Sequence, residues 1–115
     1  LSPLLFLLII VSVSLSAAAQ LVLKIGVGRA QGSGDLLAYL FQPLVIGGLA
    51  LYGIGAILWL SVLARAPLSM AYPFVGLGFI LTMVFGLVIL GENVTPLRVG
   101  GTLLIAAGCV LVARS

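Results

Sequence analysis

Four polar side chains recur at every fourth position of an otherwise apolar N-terminal stretch: Ser12, Ser16, Gln20 and Lys24. On a helix, residues four apart share a face, so these four form one polar edge. Within a bilayer such groups turn toward the protein interior or a wet cavity. One chemistry open to them is the lining of a translocation path: hydroxyls and an amide hydrogen-bond a polar headgroup, and the Lys24 ammonium attracts an anion at the mouth. The plainer alternative is that the serines and Gln20 bond neighbouring helices while Lys24 snorkels to the headgroup layer.

Other residues invite similar questions. In SMAYPFVGLG, Pro73 removes a helical hydrogen bond, and Gly76 and Gly78 follow it closely. A kink or hinge is expected there, and interrupted helices in transporters often mark the substrate site. Tyr72 and Trp59 offer amphipathic rings that suit either a binding site or the membrane interface. Gly48 and Gly55 lie seven apart, as do Gly101 and Gly108. Small residues on one face let helices approach closely. For Gly101 and Gly108 a dimer seam is one expectation and packing within the chain the other.

The elements that must position these residues follow from composition. The chain has 115 residues, 63% hydrophobic and 6% charged, with mean hydropathy +1.46. A soluble domain carries roughly a quarter charged residues, so seven formal charges cannot solvate this one, and the chain is expected in a membrane. A hydrocarbon core of about 30 Å needs about 20 helical residues. Four runs qualify, at about 3–23, 43–64, 68–90 and 96–113. The fold class is therefore all-α: a single domain over 1–115, an integral membrane bundle of four transmembrane helices expected to dimerise. Gly32-Ser33-Gly34 marks the first connection, Leu36 to Phe41 an approach to the second span. Pro43 and Thr95-Pro96 read as helix starts. The later connections are short, which makes consecutive helices antiparallel neighbours.

The five cations, Lys24, Arg29, Arg65, Arg98 and Arg114, are dispersed, so there is no basic patch for nucleic acid. With no His and one Cys, no metal site, disulfide framework or cofactor is implied. Nothing reads as a cleaved secretory signal before a soluble domain. Leu1 is not an initiator methionine, so residues are expected to precede it. Lys24, Arg29 and Arg98 on one side against Arg65 and Arg114 on the other give too small a bias to assign orientation. No carboxylate falls within a span: Asp35 is in the first loop and Glu92 at the exit of the third helix. Proton-driven export generally needs an embedded acid.

The run LGENVTPLRVGGTLLIAAGCVLV, with a Gly-Glu turn before a Gly-containing last helix, resembles the drug/metabolite transporter superfamily. Its small multidrug resistance exporters are four-helix dimers built on a glutamate in the first helix and a tryptophan in the third. Ser16 and Val75 occupy those places here. AAAQLVLK, LWLSVLARAPLSMAYPFVGLGFIL and the Gly-Glu turn are more similar to another branch, the paired small subunits of the undecaprenyl-phosphate-aminoarabinose flippase. The resemblance covers all four helices and carries over Gln20, Lys24, Trp59, Tyr72, Pro73 and Glu92, while Gly78 stands where a polar residue is expected. It implies membrane lipid and a polyprenyl-phosphate-linked sugar as partners, a second copy or a sister four-helix subunit, and a bacterial inner membrane.

Together these readings give a non-enzymatic flippase subunit. Ser16, Gln20, Lys24, Trp59 and Tyr72 are its substrate-binding candidates; Pro73, Gly76 and Gly78 its hinge; Arg29, Glu92 and Arg98 its phosphate or gating groups. Gly101 and Gly108 are its dimer seam. The rivals are an exporter of small organic cations, which would need an acid in its path, and an assembly subunit that transports nothing. With no His, no buried acid pair and no activated nucleophile around Cys109, no enzyme is expected.

Overall fold

In the computed structural model, residues 2–30 and 35–115 are described; the Gly32-Ser33-Gly34 loop signal lies outside them. The helices are α1 (Pro3–Ala30), α2 (Leu36–Phe41), α3 (Pro43–Arg65), α4 (Leu68–Ala71), α5 (Val75–Val88) and α6 (Pro96–Arg114). A 3-10 turn at Tyr72–Phe74 joins α4 to α5, so Leu68–Val88 forms one continuous span. Four helices are long and apolar enough to cross a membrane, and no strand occurs among the described residues.

Local chemistry accounts for the helix starts. Ser2 Oγ accepts from Leu5 N–H at 3.1 Å and Asp35 from Leu37 N–H at 3.2 Å. The Gln42 amide oxygen accepts from Leu44 N–H at 2.8 Å, ahead of Pro43 in the first turn. Thr95 Oγ1 accepts from Arg98 N–H at 3.1 Å, ahead of Pro96. Each satisfies a donor that a helix start leaves free. The third span closes differently. Gly91 takes φ 68°, a left-handed conformation that glycine adopts without a Cβ clash. The reversal lets Glu92 N–H donate to the Gly86 carbonyl at 2.9 Å.

The first helix differs from the sequence expectation. It does not end at Leu23; it passes Lys24 and runs to Ala30. Helix propensity disfavours Gly26 and Gly28, but Gly26 is buried against α3. A Cβ there would stand 2.8 Å from the Val45 backbone nitrogen. Tertiary approach overrides local preference. At Gly48 a Cβ would stand 2.9 Å from the Leu23 side chain, and at Gly55 3.4 Å from Ser16 Oγ. Gly48 and Gly55 therefore serve packing within the chain, along the α1–α3 seam.

Helix α5 lies against another side of α1, and α6 packs on α5. A Cβ at Gly76 would stand 2.6 Å from Ile105 and 2.8 Å from Cys109 Sγ. The Cys109 thiol donates to the Pro73 carbonyl at 2.6 Å, tying α6 to the 3-10 turn. A core of Leu5, Ile9, Val13, Val62, Ala71 and Phe74 closes the end of the bundle that holds the N-terminus of α1. The outward faces are apolar, with Ile57, Leu60, Leu97, Leu104 and Leu111 more than 60% exposed. Lipid chains suit that surface; water does not.

Gly26→Ala should destabilise the protein by about 1–3 kcal/mol, because the neighbouring atom is backbone and cannot swing aside. Gly47→Ala, where a Cβ meets nothing within 4 Å, should be neutral or mildly stabilising. Melting of the two variants in detergent checks the contrast. Equal melting temperatures would show that the seam is not tight at Gly26.

Candidate functional site: a groove along the first helix

Between α1, α3 and the third span lies a cavity of about 310 Å³. Helix α1 supplies Ser12, Ser16 and Gln20, and α3 supplies Tyr52, Gly55 and Trp59. The third span supplies Tyr72 from the 3-10 turn, then Val75, Phe79 and Thr82. Gln20, Tyr52, Tyr72 and Phe79 are exposed at its open rim. The apolar core forms its closed end, since Val13 belongs to that core and Trp59 packs against it, and both line the cavity.

A second pocket, of about 160 Å³, adjoins the first. Gln20 and Thr82 line both, so the two pockets lie end to end along a groove beside α1. Lys24 and Glu92 line the second pocket with Leu21, Phe85, Gly86 and Leu90. From Ser12 to Lys24 the groove follows α1 for about 18 Å at 1.5 Å rise per residue. Its closed end sits near the middle of α1, and its charged end lies toward the helix C-terminus.

The groove's walls are mainly apolar, with a few polar groups spaced along them. Ser12 is 1% exposed, and its Oγ has no hydrogen-bond partner among the described residues. A buried hydroxyl left unpaired costs about 1–3 kcal/mol, and with almost none of its surface open to the cavity, Ser12 can meet a ligand only if its neighbours move. Thr82 Oγ1, by contrast, donates to the Phe79 carbonyl at 3.0 Å. Neither pocket contains a carboxylate apart from Glu92.

The structure thus gathers Ser16, Gln20, Trp59 and Tyr72 in one cavity and Lys24 with Glu92 in the next. It does not bring Arg29 or Arg98 to either. The Arg98 guanidinium instead donates to the Asn93 carbonyl at 3.2 Å. Gly76 and Gly78 are buried contact points, against α6 and against Val13 of α1. Gly101 and Gly108 meet nothing within 4 Å. Sequence reasoning missed Tyr52, Phe79, Thr82 and Gly86 as lining residues. Tyr52 and Trp59, seven apart on one helix face, were the available signal.

Ser12→Ala should leave the melting temperature of the ligand-free protein unchanged or slightly higher, because it removes an unpaired hydroxyl rather than a bond. A drop worth more than about 1 kcal/mol would mean that Ser12 is satisfied in the folded chain.

No family model matches the chain, and no solved structure matches it. Curated proteins do. It is 34% identical over 87 residues to a "Probable 4-amino-4-deoxy-L-arabinose-phosphoundecaprenol flippase subunit ArnE" of Klebsiella pneumoniae (strain 342), covering 76% of this chain and 73% of that one. A protein of the same name from Pseudomonas aeruginosa (strain UCBPP-PA14) is 38% identical over 63 residues, 55% of each chain. Another, from Aeromonas salmonicida (strain A449), is 40% identical over 45 residues, 39% of this chain and 40% of the relative. The match spans about half the length of the Pseudomonas relatives. Four membrane-length helices and the Klebsiella match place this integral membrane chain in the ArnE family of flippase small subunits.

Proposed function

We propose that the chain is a non-enzymatic subunit of a flippase that moves a polyprenyl-phosphate-linked sugar, of the aminoarabinose type, across a bacterial inner membrane. One observation carries this reading: two adjoining pockets follow α1 from Ser12 to the charges at Lys24 and Glu92. The relatives' names supply the substrate class.

The physics of a lipid-linked sugar fits such a groove. The polyprenyl tail needs no protein path, because it stays in hydrocarbon and the outer helix faces are apolar. Only the headgroup must be shielded. Lys24, a compact cation at the groove's charged end, attracts the phosphate. Gln20 and Ser16 then offer hydrogen bonds to sugar hydroxyls, with Trp59 and Tyr72 providing flat apolar surfaces. Beyond Ser12 the Leu5–Phe74 core bars passage, so crossing requires that core to open. The 3-10 turn containing Pro73 carries Phe74 and makes this the natural place for the third span to move, with Gly76 and Gly78 sliding on α6 and α1. Gly101 and Gly108, open on α6 beside exposed Leu104 and Leu111, suit a seam with a second copy or a sister subunit.

A cation exporter is the second reading, favoured by the rings of Tyr52, Trp59, Tyr72 and Phe79 around the cavity, which can hold a cation by its attraction to aromatic faces. Thermal unfolding in detergent separates the two. A ligand that binds only the folded state at 100 times its Kd adds about 2.7 kcal/mol of stability. Glycosylated polyprenyl phosphate should raise the melting temperature of the wild type and do so far less for Lys24→Ala. Stabilisation by a quaternary ammonium ion alone would replace the flippase reading with the exporter.

A further inference from the structure

The pocket at the charged end has a composition that a simple phosphate site would not need. It is lined by one cation, Lys24, and one anion, Glu92. No ion pair joins them among the described residues. Glu92 is exposed, and the backbone turn folds its carboxylate back over Gly86 at the edge of the pocket. Gly91 at φ 68° turns the chain, and Glu92 N–H donates to the Gly86 carbonyl at 2.9 Å. The carboxylate lies over Gly86 so closely that a Cβ at residue 86 would stand 2.5 Å from Oε1. No hydrogen bond to that carboxylate is found among the described residues. Arg98 is turned away to the Asn93 carbonyl, and neither Arg29 nor Asp35 lines the pocket.

We propose that Lys24 and Glu92 together read a zwitterionic lipid headgroup, Lys24 holding its phosphate and Glu92 its amine, so that Glu92 determines which lipid is accepted. This rests on the flippase reading above and deepens it. A phosphodiester carries one negative charge, and a protonated amine on the same headgroup brings the net to zero, matching a pocket whose own charges sum to zero. A bare phosphate monoester carries about −1.5 to −2 at neutral pH and is repelled by Glu92. A neutral sugar leaves the carboxylate without a partner. Charge-assisted hydrogen bonds at both ends favour the amine-bearing headgroup over either. Like-charge repulsion supplies the discrimination. An ethanolamine phospholipid shares this chemistry, so the test includes it as a separate source.

The experiment measures affinities of the purified full chain, in nanodiscs of zwitterion-free lipid, for four probes. These are a polyprenyl phosphate bearing an amino sugar, the same lipid N-acetylated, the bare polyprenyl phosphate, and phosphatidylethanolamine. The wild type should prefer the amino sugar lipid to its N-acetylated form by about tenfold, in line with one charged hydrogen bond. Glu92→Gln should bring that ratio near one while binding the bare phosphate better. Gly86→Ala, which displaces a flexible carboxylate and leaves Glu92 in the sequence, should lower the ratio in the same direction. Lys24→Gln should weaken all the phosphate-linked probes. A ratio unchanged in both Glu92→Gln and Gly86→Ala, with native melting curves, overturns the assignment of Glu92 and leaves the flippase reading standing. Tighter binding of phosphatidylethanolamine than of the amino sugar lipid, abolished by Glu92→Gln, supports the charge reading and overturns the polyprenyl substrate. Binding of no probe by the wild type overturns both.

Discussion

The close approach of α1 and α3 is the constraint on which the rest of the molecule depends. Lipid chains are as apolar as leucine, so helices in a bilayer gain little from merely hiding apolar surface from one another. They associate where backbones can come near. Gly26 against Val45, Gly48 against Leu23 and Gly55 against Ser12 and Ser16 provide that nearness along most of the seam. With α1 committed to α3 on one side and to the third span on another, its polar edge faces the space between those two. The groove follows from the seam.

What fills that space is equally constrained. Within a span the helix's own hydrogen bonds satisfy most backbone donors and acceptors, so the groove's chemistry comes from a few side chains. Ser12, unpaired and buried, is at one end; Lys24 and Glu92 are at the other; Gln20 and Thr82 join them. An apolar core closes the inner end, and the Cys109 thiol bonded to the Pro73 carbonyl ties the moving candidate, the 3-10 turn, to α6. A headgroup entering at Lys24 would travel about 18 Å along α1 before meeting Phe74 and Ile9.

Much of the fold was legible in the sequence because a membrane span declares itself by length and apolarity alone. The four spans, the Pro43 and Thr95-Pro96 starts and the Gly91 turn all rest on local rules. The extension of α1 through Gly26 to Ala30 was not legible, since the approach of Val45 outweighs a local penalty that sequence does record. The stripe from Ser12 to Lys24 was visible as spacing. What it faces was not, because Tyr52, Phe79 and Thr82 come from helices whose rotation is set by packing. Gly86 illustrates the same limit: its meaning depends on where Glu92 folds back, six residues later. Arg29 and Arg98 looked equivalent to Lys24 by charge, yet neither lines the groove.

The most direct test of the central claim is photo-crosslinking of the membrane-embedded protein with a polyprenyl phosphate-linked sugar that carries a diazirine on the headgroup, followed by peptide mapping. A headgroup lodged in the groove will label the segments around Gln20–Lys24 of α1 and Thr82–Gly86 of α5, and unlabelled lipid will compete it away. Labelling confined to the outer face of α6, or spread evenly over all lipid-facing surfaces without competition, would contradict a headgroup path along α1.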